Sequence, residues 1–92
     1  MNPNFKKSEL LPVIVQHFTN KKVLMLGYMN SEAYEKTLES KHVWFFSRSK
    51  NRLWEKGESS KNFLGVKKIV LDCDKDAILI LASPEGPTCH TL

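Results

Sequence analysis

Between Asp72 and His90 the chain places three alternating carboxylates, both of its cysteines and a histidine: Asp72, Cys73, Asp74, Asp76, Cys89 and His90. Hard carboxylate oxygens suit Mg²⁺ or Ca²⁺, whereas thiolate and imidazole suit Zn²⁺, so this stretch has the ligand types of one or two metal sites. On extended backbone Asp72, Asp74 and Asp76 share one face while Cys73 turns to the other. The plainer reading of the same spacing is a polar strand end followed by an Asp-rich turn. A calcium loop is excluded, because Ala77 stands where that loop needs glycine and Ser83 where it needs its closing glutamate. The C-x15-C spacing lacks the close cysteine pairs that mark most zinc sites, which leaves metal ligation and inert thiols both open. The apolar run from Ala77 to Ala82 reads as a buried strand with the two cysteines beyond its opposite ends. One tetrahedral ion joins both only if the chain folds back after Pro84-Glu85-Gly86-Pro87 or a second subunit contributes. His90, beside Cys89 in a loop bounded by Gly86 and Pro87, is a candidate ligand or general base, or simply an exposed tail residue.

A second set of groups suits phosphate. Ser47-Arg48-Ser49 and Trp54-Glu55-Lys56-Gly57-Glu58-Ser59-Ser60 fall near the ends of two successive strands, which a hairpin brings together. Arginine offers a bidentate fork, lysine a point charge, and serine hydroxyls and glycine-flanked N–H groups neutral donors. An ordinary exposed hairpin end carries the same residues. Trp44, Phe45, Phe46 and Trp54 have faces on which a base can stack, but clustered aromatics in a small domain belong first to its core, with Trp54 the candidate exception. His17 and His42, within or beside apolar strands, read as structural or rim residues.

The elements that must position these groups follow from periodicity. Leu10 to His17 is β-branched and apolar with Pro12 near its start, and after the polar turn Thr19-Asn20-Lys21-Lys22 the run Val23 to Met29 completes an antiparallel hairpin. Gly27 marks a bulge or a close backbone approach. Asn30 or Ser31 caps a helix in which Ala33, Tyr34, Thr37 and Leu38 fall at helical spacing, ending near Ser40-Lys41. His42 to Ser49 and Leu53 to Lys56 form a second hairpin around Lys50-Asn51-Arg52, Phe63 to Leu71 another strand, and Ala77 to Ala82 the last. One helix and four or more strands predict a single α+β domain, a small antiparallel β-sheet with one main helix.

Ninety-two residues bury only about 60–65% of the surface of the unfolded chain, so a metal, a dimer interface or both would add needed stability. The formal charge of +4 favours an anionic ligand without requiring nucleic acid. Met1 to Lys7 lacks the apolar core of a signal peptide and no apolar run approaches the ~18–20 residues that span a bilayer, so the expectation is a cytoplasmic protein without a membrane partner.

Read together, Val23-Leu24-Met25-Leu26-Gly27-Tyr28-Met29-Asn30, Phe46-Ser47-Arg48-Ser49, Leu53-Trp54-Glu55-Lys56-Gly57-Glu58-Ser59-Ser60, Asp72-Cys73-Asp74 and Gly86-Pro87-Thr88-Cys89-His90-Thr91 come in the order seen in phosphoribosyl-AMP cyclohydrolases, which the chain resembles from about Leu11 to Leu92. The resemblance implies an intertwined homodimer acting in histidine biosynthesis, which opens the purine ring of phosphoribosyl-AMP by hydrolysis between N1 and C6. It implies Zn²⁺ held by Cys73 and Cys89 from different subunits, Mg²⁺ at Asp72, Asp74 and Asp76, and His90 as the catalytic residue. Ser47, Arg48, Trp54, Lys56, Ser59 and Ser60 become the candidate substrate-binding residues.

Three positions depart from the family pattern. Its third zinc cysteine, seven positions past the one matching Cys89, has no counterpart before Leu92. Lys61 stands where glycine usually follows the hydroxyl pair, and Leu92 replaces the usual glycine after Cys-His-Thr. Residues 1–9 then read as an N-terminal extension, and the expectation for the 92-residue chain is a folded dimer with weak zinc and low activity. The alternative is a dimeric relic of the fold without a complete zinc site. A small basic RNA-binding domain using Trp44, Phe45 and Trp54 is disfavoured, because the three aspartates would repel a phosphate backbone.

Overall fold

The computed structural model describes residues 2–85, which form six strands and one helix. Strands β1 (Leu11–His17) and β2 (Val23–Met29) make the expected hairpin, as do β5 (Phe63–Leu71) and β6 (Ile78–Glu85). The two hairpins lie side by side in one sheet of order β2-β1-β6-β5. The central pair, β1 and β6, is parallel, with Val13 opposite Ile78 and His17 opposite Ala82. The sheet is therefore mixed rather than wholly antiparallel. The chain leaves β2 on one edge, crosses over through α1 (Ser31–Ser40) and the separate hairpin β3 (Trp44–Ser47)–β4 (Arg52–Glu55), and re-enters at the opposite edge as β5.

Both prolines of the sheet stand where a missing N–H costs nothing. Pairing of β1 with β6 begins only at Val13, one residue beyond Pro12, and ends where the Phe18 N–H meets the Ala82 carbonyl, before Pro84. This lets β6 continue to Glu85, beyond the expected end at Ala82.

Alternation decides which face is covered. Leu11, Val13 and Val15 of β1 and Ile78, Ile80 and Ala82 of β6 are buried on the inner face, under Ala33 and Tyr34 of α1 and under Val43 and Phe45. Burying each of the larger side chains favours folding by about 1.5–3 kcal/mol relative to exposure. On the outer face the cross-strand row Leu26–Ile14–Leu79–Val70 runs through all four strands, and 65% of Leu26, 42% of Ile14 and 38% of Val70 are solvent-exposed.

The helix starts where Asn30 Oδ1 accepts the Ala33 N–H at 2.8 Å, with Glu32 favourably placed in the first turn. It ends at Lys41, whose left-handed backbone (φ 64°) turns its N–H to the Thr37 carbonyl. Buried Thr37 donates its hydroxyl to the Ala33 carbonyl and accepts the Trp44 N–H at 3.0 Å, fastening β3 to the helix. Leu38, at helical spacing with these residues, is exposed instead.

Candidate active site

The β3–β4 hairpin and the loop after it enclose a cleft of about 420 Å³. Five residues expected to bind substrate line it: Ser47, Trp54, Lys56, Ser59 and Ser60. The hairpin register sets Phe45 against Trp54 and Ser47 against Arg52, so alternate residues of the two strands face the cleft together. Trp54 packs its ring on Phe45 at 5.3 Å between centroids, while Trp44 donates its indole N–H to Ser40 and lies under Lys36. Among these aromatics, Trp54 is the one that borders the cleft.

Arg48, the sixth expected residue, is elsewhere. One position past the strand, in the turn, its guanidinium stacks on Tyr28 at 4.0 Å and borders a second cavity of about 300 Å³ with Glu9, Asn30 and Phe46. Arg52 and Lys50 bring positive charge to the main cleft in its place. In sequence both belong to a turn, and a hairpin register that sets Ser47 against Arg52 is the signal that finds Arg52.

The closing loop is built around two backbone positions. Gly57 has φ 105°, and a Cβ there would lie 2.8 Å from the carbonyl carbon of Asn62. Its carbonyl accepts the Lys61 N–H at 2.7 Å, and Lys61 itself is left-handed at φ 67°, a conformation that favours glycine. Glu58 accepts both the Glu55 N–H and the Arg52 guanidinium at 2.9 Å. Those bonds, the backbone one foremost, hold its carboxyl below the usual range. Among the described residues neither Lys50 nor Lys56 is ion-paired, which leaves two ammonium groups beside the serine hydroxyls.

The acidic triplet occupies the β5–β6 turn, not extended strand: Asp72 Oδ1 accepts the Asp76 and Ala77 N–H groups, and Lys75 is left-handed at the bend. Local hydrogen bonding of an aspartate to backbone two or more residues on favours such turns over strand continuation. Asp76 pairs with Lys7 at 2.9 Å, and that bond, supplemented by one to Asp72, lowers the Asp76 pKa while raising that of Lys7. Cys73 is a free, exposed thiol in the same turn. No group of three or more His, Cys, Asp or Glu side chains among the described residues is gathered closely enough to hold a metal. In this conformation the triplet is therefore not a preformed cage. Cys89 and His90 lie outside the described residues.

Among the described residues no helix is long and apolar enough to cross a membrane. The family model for phosphoribosyl-AMP cyclohydrolase matches residues 25–92. The chain is 66% identical over 82 residues to the histidine biosynthesis bifunctional protein HisIE of Staphylococcus epidermidis, an alignment covering 89% of this chain and 39% of that protein. It is 64% identical over 85 residues to the protein of the same name from Escherichia coli K12, covering 92% and 42% of the two chains. Against the Bacillus subtilis 168 protein the identity is 56% over 87 residues, covering 95% and 42%. The chain thus spans about two fifths of the length of these curated relatives. It belongs to the phosphoribosyl-AMP cyclohydrolase family.

Proposed function

We propose that this chain binds phosphoribosyl-AMP in the hairpin cleft and hydrolyses its purine ring between N1 and C6, as a cytoplasmic enzyme of histidine biosynthesis. The observation that carries this is the convergence of Ser47, Trp54, Lys56, Ser59 and Ser60 on one cleft with two ammonium groups that make no ion pair among the described residues. Lys50 and Lys56 supply charge for the phosphates, the three serine hydroxyls supply directed donors, and the Trp54 edge offers an apolar surface for the base or ribose. In the hydrolysis water adds to C6, the N1–C6 bond breaks and N1 gains a proton. His90 is the proposed carrier of that proton.

Zinc at Cys73 and Cys89 and magnesium at Asp72, Asp74 and Asp76 complete the proposal, supported by residue type and family membership. Bound zinc would supply acidification of water, and magnesium positive charge for phosphate or ring groups. For magnesium to use Asp76, Lys7 must let it go. Zinc counted per subunit in the purified protein, with and without competing chelator, tests the metal part. We further propose a homodimer, supported by the uncovered aliphatic row on the outer sheet face, since a four-stranded face of this kind is ordinarily covered. The experiment for the activity is a ring-opening absorbance assay with phosphoribosyl-AMP, zinc and magnesium. Turnover abolished by Lys56→Met with Ser59→Ala supports the reading, and turnover unchanged in that variant refutes it.

A further inference from the structure

His42 stands between two carboxylates. Its Nδ1 lies 3.0 Å from Glu55 Oε2 and its Nε2 lies 3.2 Å from Glu85 Oε1, while its ring stacks on Phe63 with centroids 4.9 Å apart and planes 17° apart. Backbone bonds on both sides fix the residue. The Val43 N–H reaches the Leu64 carbonyl and the Val66 N–H reaches the Lys41 carbonyl, so His42 bridges to Gly65 at the edge of β5. Gly65 is part of the arrangement, because a Cβ there would occupy the place of the Glu85 carboxylate. The imidazole is thus held in plane and position by groups from three strands, β4, β5 and β6.

Of its two carboxylate partners, Glu55 lines the cleft. A free carboxylate at that place, next in sequence to Lys56, has two effects on an anionic ligand. It repels the ligand directly, and it is a competitor for the ammonium groups that the ligand needs. The other carboxylate of the cleft, Glu58, is already occupied by Arg52 and the Glu55 N–H. Only Glu55 needs an external partner, and His42 is it.

We infer that His42 is a positioning residue, which draws the Glu55 carboxylate away from the anion-binding part of the cleft and so leaves Lys50 and Lys56 to the phosphate of a ligand. The inference rests on the reading of the cleft as a nucleotide phosphate site. It adds to that reading a residue that touches neither substrate nor reacting atoms.

The test is titration calorimetry of the wild-type protein, His42→Ala, Glu55→Gln and the double variant with adenosine 5′-monophosphate, at low and high salt. Wild type binds the probe saturably. His42→Ala binds it about fivefold to tenfold more weakly at low salt, with the deficit shrinking at high salt as screening removes the repulsion. Glu55→Gln binds about twofold more tightly than wild type, and the double variant returns to within about twofold of wild type. Removing a merely structural histidine would not be rescued by neutralising Glu55. A double variant as weak as His42→Ala, an unchanged His42→Ala, or a Glu55→Gln that loses affinity overturns the inference, and the last keeps it testable if His42→Ala fails to fold. Absence of saturable binding by the wild-type protein strikes instead at the cleft reading.

Discussion

The ring of Phe45 lies against the backbone of Gly27, so closely that a Cβ at Gly27 would stand 2.6 Å from Phe45 Cδ1. Gly27 pairs with Val13 in the four-stranded sheet and Phe45 pairs with Trp54 in the hairpin. This van der Waals contact therefore helps to seat the cleft-bearing hairpin on the sheet, beside the stacking of Arg48 on Tyr28. Gly27→Ala forces the buried ring to move, and overpacking of this kind costs about 1–3 kcal/mol. The expected result is a lower midpoint in denaturant with an unchanged slope, and a weaker cleft because Trp54 rests on the displaced ring. An unperturbed midpoint would mean that the hairpin accommodates the methyl freely.

Lys61 offers the opposite experiment. A left-handed non-glycine residue costs roughly 1–2 kcal/mol, while glycine adds about 0.5–1 kcal/mol of unfolded-state entropy. Lys61→Gly should therefore stabilise the protein by about 0.5–1 kcal/mol, read as a raised midpoint in urea. A loss of stability would show that the Lys61 side chain contributes more than its backbone costs.

The outer sheet face sets a prediction about assembly. Ile14→Lys with Leu26→Glu places charges at two adjacent positions of the aliphatic row and removes nothing from the core, since both side chains point away from it. Sedimentation equilibrium should give a dimer for the wild-type protein and a monomer of unchanged circular dichroism for the variant. A variant that remains dimeric would move the interface to another surface.

Acid should loosen the loop over the cleft. Glu58 has its pKa lowered in the folded protein, so its contribution to stability is present above the ordinary glutamate range and is lost as pH falls through the folded value. The thermal midpoint of wild type should fall toward that of Glu58→Gln as pH drops below about 4.3. A gap between the two proteins that stays constant from pH 6 to about 3 would show that the bonds to Arg52 and the Glu55 N–H do not hold the loop.

Much of this fold is legible in local pattern. Val23 to Met29, the helix from its Asn30 cap and Phe63 to Leu71 stand where periodicity and capping chemistry place them, because each is decided within its own window. Gly27 proves a close approach, while the bulge sits at Val15 and Gln16. What local pattern does not carry is the parallel pairing of β1 with β6, which depends on how the crossover connection packs, and the short β3. The expected strand from His42 begins only at Trp44, since His42 is held at β5 by a separate bridge. The cleft was readable through Ser47, Trp54, Lys56, Ser59 and Ser60. Arg48 lies apart from them because the turn begins at that residue, and one position past Ser47 its side chain is on Tyr28. The aspartates share a turn rather than a strand face, because backbone N–H groups within reach of Asp72 satisfied it locally.

The most direct measurement of the central claim is equilibrium binding of phosphoribosyl-AMP to the purified protein, compared with Lys56→Met and Ser59→Ala. Charge-assisted hydrogen bonds to phosphate contribute about 1.5–3 kcal/mol each, so loss of the Lys56 ammonium should weaken binding about tenfold to a hundredfold. Loss of the Ser59 hydroxyl, a neutral donor worth about 1 kcal/mol, should weaken it about fivefold. The account expects saturable binding at one ligand per chain with this ranking of the variants. Binding of equal strength in all three proteins, or none in the wild type, would contradict it.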